Sequence, residues 1–83
     1  METGTVTSHN RSTRKFVVQV DACGHMVFGL KGVNGVALGN RLCGRFDCND
    51  VCLLRNLTTG ERLEVIRYAD ACDLDAARAM IAL

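Results

Sequence analysis

Phe16, Val18 and Val20 alternate with Val17, Gln19 and Asp21. That period of two predicts a half-buried strand. Cys23-Gly24 interrupts it, and Met26, Phe28 and Leu30 then alternate with Val27, Gly29 and Lys31 to predict a second strand. Val33-Asn34-Gly35-Val36 reads as a hairpin turn, because Asn-Gly supplies the positive φ that both central residues of a type I′ turn require. A third strand is expected from Val36 toward Phe46, with Gly39 and Gly44 marking a bend or a close backbone approach. After a polar turn at Asp47-Cys48-Asn49-Asp50, Val51 to Leu57 is apolar and strand-like. Thr58-Thr59-Gly60-Glu61 forms the next turn, and Arg62 to Tyr68 places Leu63 and Val65 on one face.

The period changes near the end of the chain. Leu74, Ala76, Ala77, Met80 and Ile81 recur at helical spacing behind Asp73, a good N-cap, with Asp75 in the first turn. A helix of about ten residues is marginal alone, so its apolar face must pack on the sheet. Residues 1–13, METGTVTSHNRST, show no sustained apolar period. They read as a flexible tail ahead of one domain at 14–83, with Gly4-Thr5-Val6-Thr7 offering only a short edge strand. The expected class is mainly β: a small barrel or strongly curved sheet of four to five antiparallel strands with a C-terminal helix closing one end. The alternative is an open α+β sheet with the helix packed across it. Both place Val18, Val20, Met26, Phe28, Leu30, Leu53, Leu63, Val65, Leu74 and Ile81 in the core.

Composition narrows the function. At 83 residues the chain is one domain, and a domain this small buries only about 60% of its unfolded surface. Its 48% hydrophobic content is too high for a disordered chain. Net charge of +1 exerts no global pull on nucleic acid or an anionic membrane. The distribution is uneven: Arg11, Arg14 and Lys15 outweigh Glu2 at the front, and Glu61, Glu64, Asp70, Asp73 and Asp75 outweigh Arg62, Arg67 and Arg78 at the back. The first fifteen residues lack the apolar stretch of a signal peptide, and no apolar run reaches the ~20 residues of a membrane span. A cytoplasmic setting without a membrane partner is therefore expected, with the five cysteines as reduced thiols.

Catalytic and metal chemistry find little to use. Cys43, Cys48 and Cys52 are spaced C-x4-C-x3-C, near the plant-type iron–sulfur spacing but not matching it. No second close pair completes a zinc site, so no metal or cofactor is expected. His9 lies in the tail, and His25 with Cys23 lacks a third orienting group. Asp47 with Asp50 reads as turn chemistry, and Asp70, Asp73 and Asp75 as capping. No enzyme and no small-molecule substrate are expected. What remains is a binding surface. Lys31, Arg41 and Arg45 lie near Phe28 and Phe46 in the sequence, and basic side chains interleaved with aromatics hold RNA on sheets and barrels. Core burial of the phenylalanines is the competing reading, and the alternation favours it for Phe28.

The order Val20-Asp21-Ala22, Phe28, Lys31, Asn34-Gly35, Leu42-Cys43-Gly44-Arg45 and then Gly60-Glu61-Arg62-Leu63-Glu64-Val65 resembles the bacterial-type translation initiation factor one family. The likeness covers about two-thirds of the chain by short elements. It departs at Asp47-Cys48, where the family has a basic loop, and at the C-terminus, where the family has a fifth strand. The resemblance implies an OB-fold and a place on the ribosome. The leading expectation is thus an RNA-binding domain using Lys31, Arg41, Arg45 and Phe46, with Arg14 and Lys15 from the front. The alternative is a small protein-binding module, an inhibitor or assembly subunit, acting through a sheet edge and the helix.

Overall fold

The computed structural model describes residues 1–47, 50–71 and 73–82, and of Ala71 the backbone alone. Six strands are formed: β1 (Glu2–Asn10), β2 (Lys15–Val20), β3 (His25–Leu30), β4 (Arg41–Gly44), β5 (Val51–Asn56) and β6 (Arg62–Ala71). They close into a barrel in the order β1-β2-β3-β6-β5-β4, with every neighbouring pair antiparallel. A helix, α1 (Leu74–Ile81), follows. The mainly β class with a C-terminal helix is as expected, and ring closure excludes the open-sheet alternative. The strand count is six rather than four to five. An even number allows every neighbour in a closed ring to be antiparallel, which five strands cannot achieve.

The added strand is β1, so residues 2–10 are not a tail. Val6 is fully buried, and β1 pairs with β2 on one side and β4 on the other. Its signal is faint because it supplies one large apolar side chain and sets Thr3 and Thr5 outside. Gly4 allows the closure. A Cβ there would lie 2.5 Å from Val18 Cγ1 and 2.7 Å from the Gln19 carbonyl oxygen. A bulge between Val6 and Ser8 bends the strand around the ring.

Asn34-Gly35 is not a hairpin turn. β3 and β4 stand opposite each other in the ring, and residues 31–40 span the barrel mouth between them. Gly35 keeps a negative φ; positive values fall at Gly24, Gly39, Gly44 and Gly60. Asn34 instead donates its side-chain amide to the Arg62 carbonyl at 2.8 Å. Val36 plugs the mouth from inside. Asn40 and Gly39 bond to Val6 across β1, and buried Asn56 donates Nδ2 to Asn40 Oδ1 at 2.9 Å. The Asn56 Oδ1 accepts from the Thr58 and Thr59 amides, fixing the β5–β6 turn.

The core is split in two. Inside the barrel Phe28 contacts Phe16 and Phe46 with ring centroids 5.8 and 5.7 Å apart, among Val6, Val18, Leu42, Leu54, Leu63 and Val65. Outside it, Val17 and Val27 on β2 and β3 meet Ala77 and Ile81 of α1, with Leu74 packed alongside. Leu74 and Ile81 therefore belong to a separate outer cluster rather than to one shared core. Leu53 is 73% exposed and is not core; Cys52 and Leu54 point inward in its place. The helix begins as expected, with Asp73 Oδ1 accepting from the Ala76 amide at 2.7 Å. At its other end Asn10 Nδ2 and Thr13 Oγ1 both donate to the Ile81 carbonyl.

Candidate binding face on strands β5 and β6

Alternation along β5 sends Cys52, Leu54 and Asn56 inward and Val51, Leu53 and Arg55 outward. Along β6, Leu63 and Val65 point in while Arg62, Glu64 and Ile66 point out. The register sets Val51 against Ile66, Leu53 against Glu64 and Arg55 against Arg62. The apolar members stand in solvent: Leu53 at 73%, Leu57 at 52%, Val51 at 40% and Ile66 at 36%. A groove of about 410 Å³ opens elsewhere, but the larger one, about 800 Å³, runs over this face between Leu53, Leu57, Arg62 and the 32–34 segment.

The face continues onto β3 and β2, where Ile66 pairs with Gly29 and Gly29 with Lys15. Gly29 lets the Tyr68 ring lie across it, where a methyl group would have to displace that ring. The Lys15 ammonium sits 4.7 Å from the centre of that ring, a cation–π contact. Arg55 and Arg62 face each other directly. Among the described residues neither guanidinium has a carboxylate within ion-pair distance.

The residues expected to bind RNA are not brought onto one surface. Phe46 is completely buried against Phe28, so it presents no ring for a base to stack on. Arg41 is held by Asp21 through two bonds of 2.8 and 2.6 Å and also donates to Thr5 Oγ1. Arg45 is 86% exposed, 3.9 Å from Asp47. Arg14 sits at φ 59° in the β1–β2 turn and donates to the Gly32 carbonyl. Lys31 is exposed at the start of the mouth-spanning segment, on the opposite side of the ring from β4. Arg14, Lys15 and Lys31 thus cluster around the end of β3, and Arg41, Arg45 and Phe46 lie across the barrel. The expected sheet edge is also missing, since among the described residues the ring leaves none of the six strands unpaired.

Sequence reasoning missed Leu53, Arg55, Arg62, Ile66 and Tyr68. The signal was present in Arg55: an arginine cannot sit unpaired inside so small a barrel, so it sets Val51 and Leu53 outside with it.

At another end of the barrel, Val20, Cys23, His25, Arg67 and Asp70 line the 410 Å³ cleft. His25 Nδ1 is buried there without a hydrogen-bond partner, and Cys23 is an exposed free thiol. Among the described residues no three His, Cys, Asp or Glu side chains gather as a metal site. Cys43 is a free buried thiol, whereas Cys52 is disulfide-bonded, which corrects the reading of five reduced cysteines. Spacing alone does not reveal which sulfurs the fold brings within bonding reach. Cys48 and Cys72 lie outside the described residues.

Among the described residues three groups titrate away from their ordinary ranges, Arg41 being raised by its hydrogen bonds to Asp21. Hydrogen bonds from Arg41 and Thr3 hold the Asp21 carboxyl far below the usual carboxylate range. Burial, with Arg11 nearby, pushes His9 below the usual imidazole value. No described helix is long and apolar enough to cross a membrane. No family model matches the chain, and no curated protein or solved structure shows significant similarity to it.

Proposed function

We propose that the protein is a non-catalytic protein-binding module that docks a larger partner on the outer face of β5 and β6. One observation carries the reading: an outward apolar set, Val51, Leu53, Leu57 and Ile66, is left in solvent on a rigid barrel. Single exposed apolar residues are ordinary, but a contiguous set beside tyrosine and arginine has the composition of an interface centre. Strands fixed by ladders on both sides hold these side chains in place, so little order has to be gained on docking. The surface is a face and not an edge, so recognition is by side chains rather than by strand addition.

The test is capture by tagged protein after nuclease treatment and in high salt, with wild type and Leu53→Asp in parallel. A stoichiometric protein held by the wild type and lost by the variant is the expected result. Equal capture by both, or recovery of nucleic acid alone, contradicts the reading. RNA binding is the second reading, favoured by the exposed Lys31 and Arg45 and the unpaired Arg55 and Arg62. It requires affinity for single-stranded RNA that falls steeply with salt.

A further inference from the structure

Arg55 and Arg62 are outward cross-strand partners, and like charges directly opposite each other destabilise a sheet. Nothing on the described surface relieves them. Glu64 is the acid on this part of the face, two residues from Arg62 and diagonal to Arg55, yet it makes no ion pair with either. Asn34 accompanies this pair only through the Arg62 backbone carbonyl, leaving the guanidinium group unengaged. Leu53 precedes Arg55 on β5 and Leu57 follows it in the first position past the strand's end at Asn56, exposed at 73% and 52%. The outward order is therefore apolar, cation, apolar, with a second cation beside the first.

We infer that the partner presents a carboxylate to Arg55 and Arg62, flanked by apolar side chains that cover Leu53 and Leu57: an acidic, apolar protein segment. The inference rests on the reading of this face as a protein-binding surface and specifies what that surface accepts. Guanidinium groups grip carboxylates through paired planar hydrogen bonds, and the strength of that contact rises as the leucines exclude water around it. In an extended segment, side chains on one side are two residues apart, which matches the two-residue spacing of Leu53, Arg55 and Leu57. A nucleic acid fits the same site less well. Phosphates would satisfy the arginines, but bases need open aromatic faces. Phe16, Phe28 and Phe46 are buried, which leaves the Tyr68 ring alone, 54% exposed and with the Lys15 ammonium 4.7 Å from its centre, so successive bases find no stacking platform.

The experiment is selection of a random twelve-residue peptide display library on the full chain, with Arg55→Glu/Arg62→Glu and Leu53→Asp selected alongside. The expected outcome is a consensus with aspartate or glutamate two residues from leucine, isoleucine or phenylalanine. Synthetic peptides of that consensus should bind the double charge variant roughly tenfold or more weakly, and binding to wild type should weaken with salt. Leu53→Asp should abolish the enrichment, and its far-ultraviolet spectrum and melt show whether the fold is kept. Peptides that need Leu53 but carry no acidic bias, and bind the charge variant unchanged, would overturn this inference and leave the docking face standing. Enrichment indifferent to both variants would remove the docking face as well. A single-stranded oligonucleotide that displaces the peptides, and is itself lost on charge reversal, would identify phosphate as the natural anion and overturn the inference. Concentration-dependent dimerisation abolished by Leu53→Asp would overturn it in favour of a second copy of the chain.

Discussion

Two outward faces of the same barrel are built alike and end differently. On β2 and β3 the cross-strand pair Val17 and Val27 points away from the barrel interior, and both are fully buried under Ala77 and Ile81 of α1. On β5 and β6 the pair Val51 and Ile66 occupies the equivalent situation and remains 40% and 36% exposed, with Leu53 next to it at 73%. The chain covers the first face with its own last element. It fastens that cover at its C-terminal end, by the bonds from Asn10 and Thr13 to the Ile81 carbonyl, while the Asp73 cap closes the helix's own first turn. The second face has no such cover among the described residues. An apolar sheet face that a protein of this size can cover, and does cover elsewhere, is informative where it is left bare.

The comparison breaks first at what both faces share. Phe28 lies between Phe16 and Phe46 at the centre of the barrel. Phe28→Ala should cost about 3–5 kcal/mol and leave little or no folded protein at ordinary temperature, read as a lost cooperative melt. Next comes the covered face alone. Ile81→Ala should lose roughly 2 kcal/mol or more, with helical signal lost from circular dichroism ahead of the strand signal as temperature rises. If helix and barrel still melt together at the wild-type temperature, the helix is not the cover described. Asn56→Ala removes the buried amide that joins the β5–β6 turn to Asn40 and should cost about 1–3 kcal/mol. Faster amide exchange at Thr58 and Thr59 would mark the loosened turn.

On the bare face the expectation inverts. Leu53→Asp should shift stability by no more than about 0.5 kcal/mol, because Leu53 is 73% exposed, while partner binding is lost. The smallest effects concern pH. Asp21 is depressed by Arg41 and Thr3, so its contribution is present above the ordinary carboxylate value and is lost only as pH falls through its low folded value. A carboxyl titration followed by NMR should place it well below the usual carboxylate range. His9 acts in the same direction: its pKa is lowered too, so its proton binds the unfolded chain more readily. Lowering the pH through about 6.5 should therefore begin to destabilise the fold, an effect that His9→Gln removes.

How much of this was legible in the sequence follows the strength of local pattern. β2, β3 and β6 were legible because their alternation is regular, and α1 because Asp73 and the alanines mark it. β1 was missed because one valine among threonines and serines carries almost no periodic signal; its place is set by closure of the ring through Gly4. Asn34-Gly35 misled because local turn preference yields to topology when the next strand lies across the barrel. In Val51 to Leu57 both phases are apolar, so burial of Leu54 rather than Leu53 depends on where Arg55 must go. The basic residues are spread apart for the same reason that the hairpin is absent: Lys31 and Arg41 are close in sequence only across a segment that spans the mouth.

The central claim is that binding occurs on the outer face of β5 and β6. It is tested most directly by methyl NMR of the protein labelled at valine, leucine and isoleucine, titrated with the partner that wild type captures. The account predicts that Leu53, Leu57, Val51 and Ile66 shift or broaden, while Val17, Val27 and Ile81 under the helix stay in place. Perturbation confined to the helix face, or an unchanged spectrum at Leu53 in the saturated complex, would contradict it.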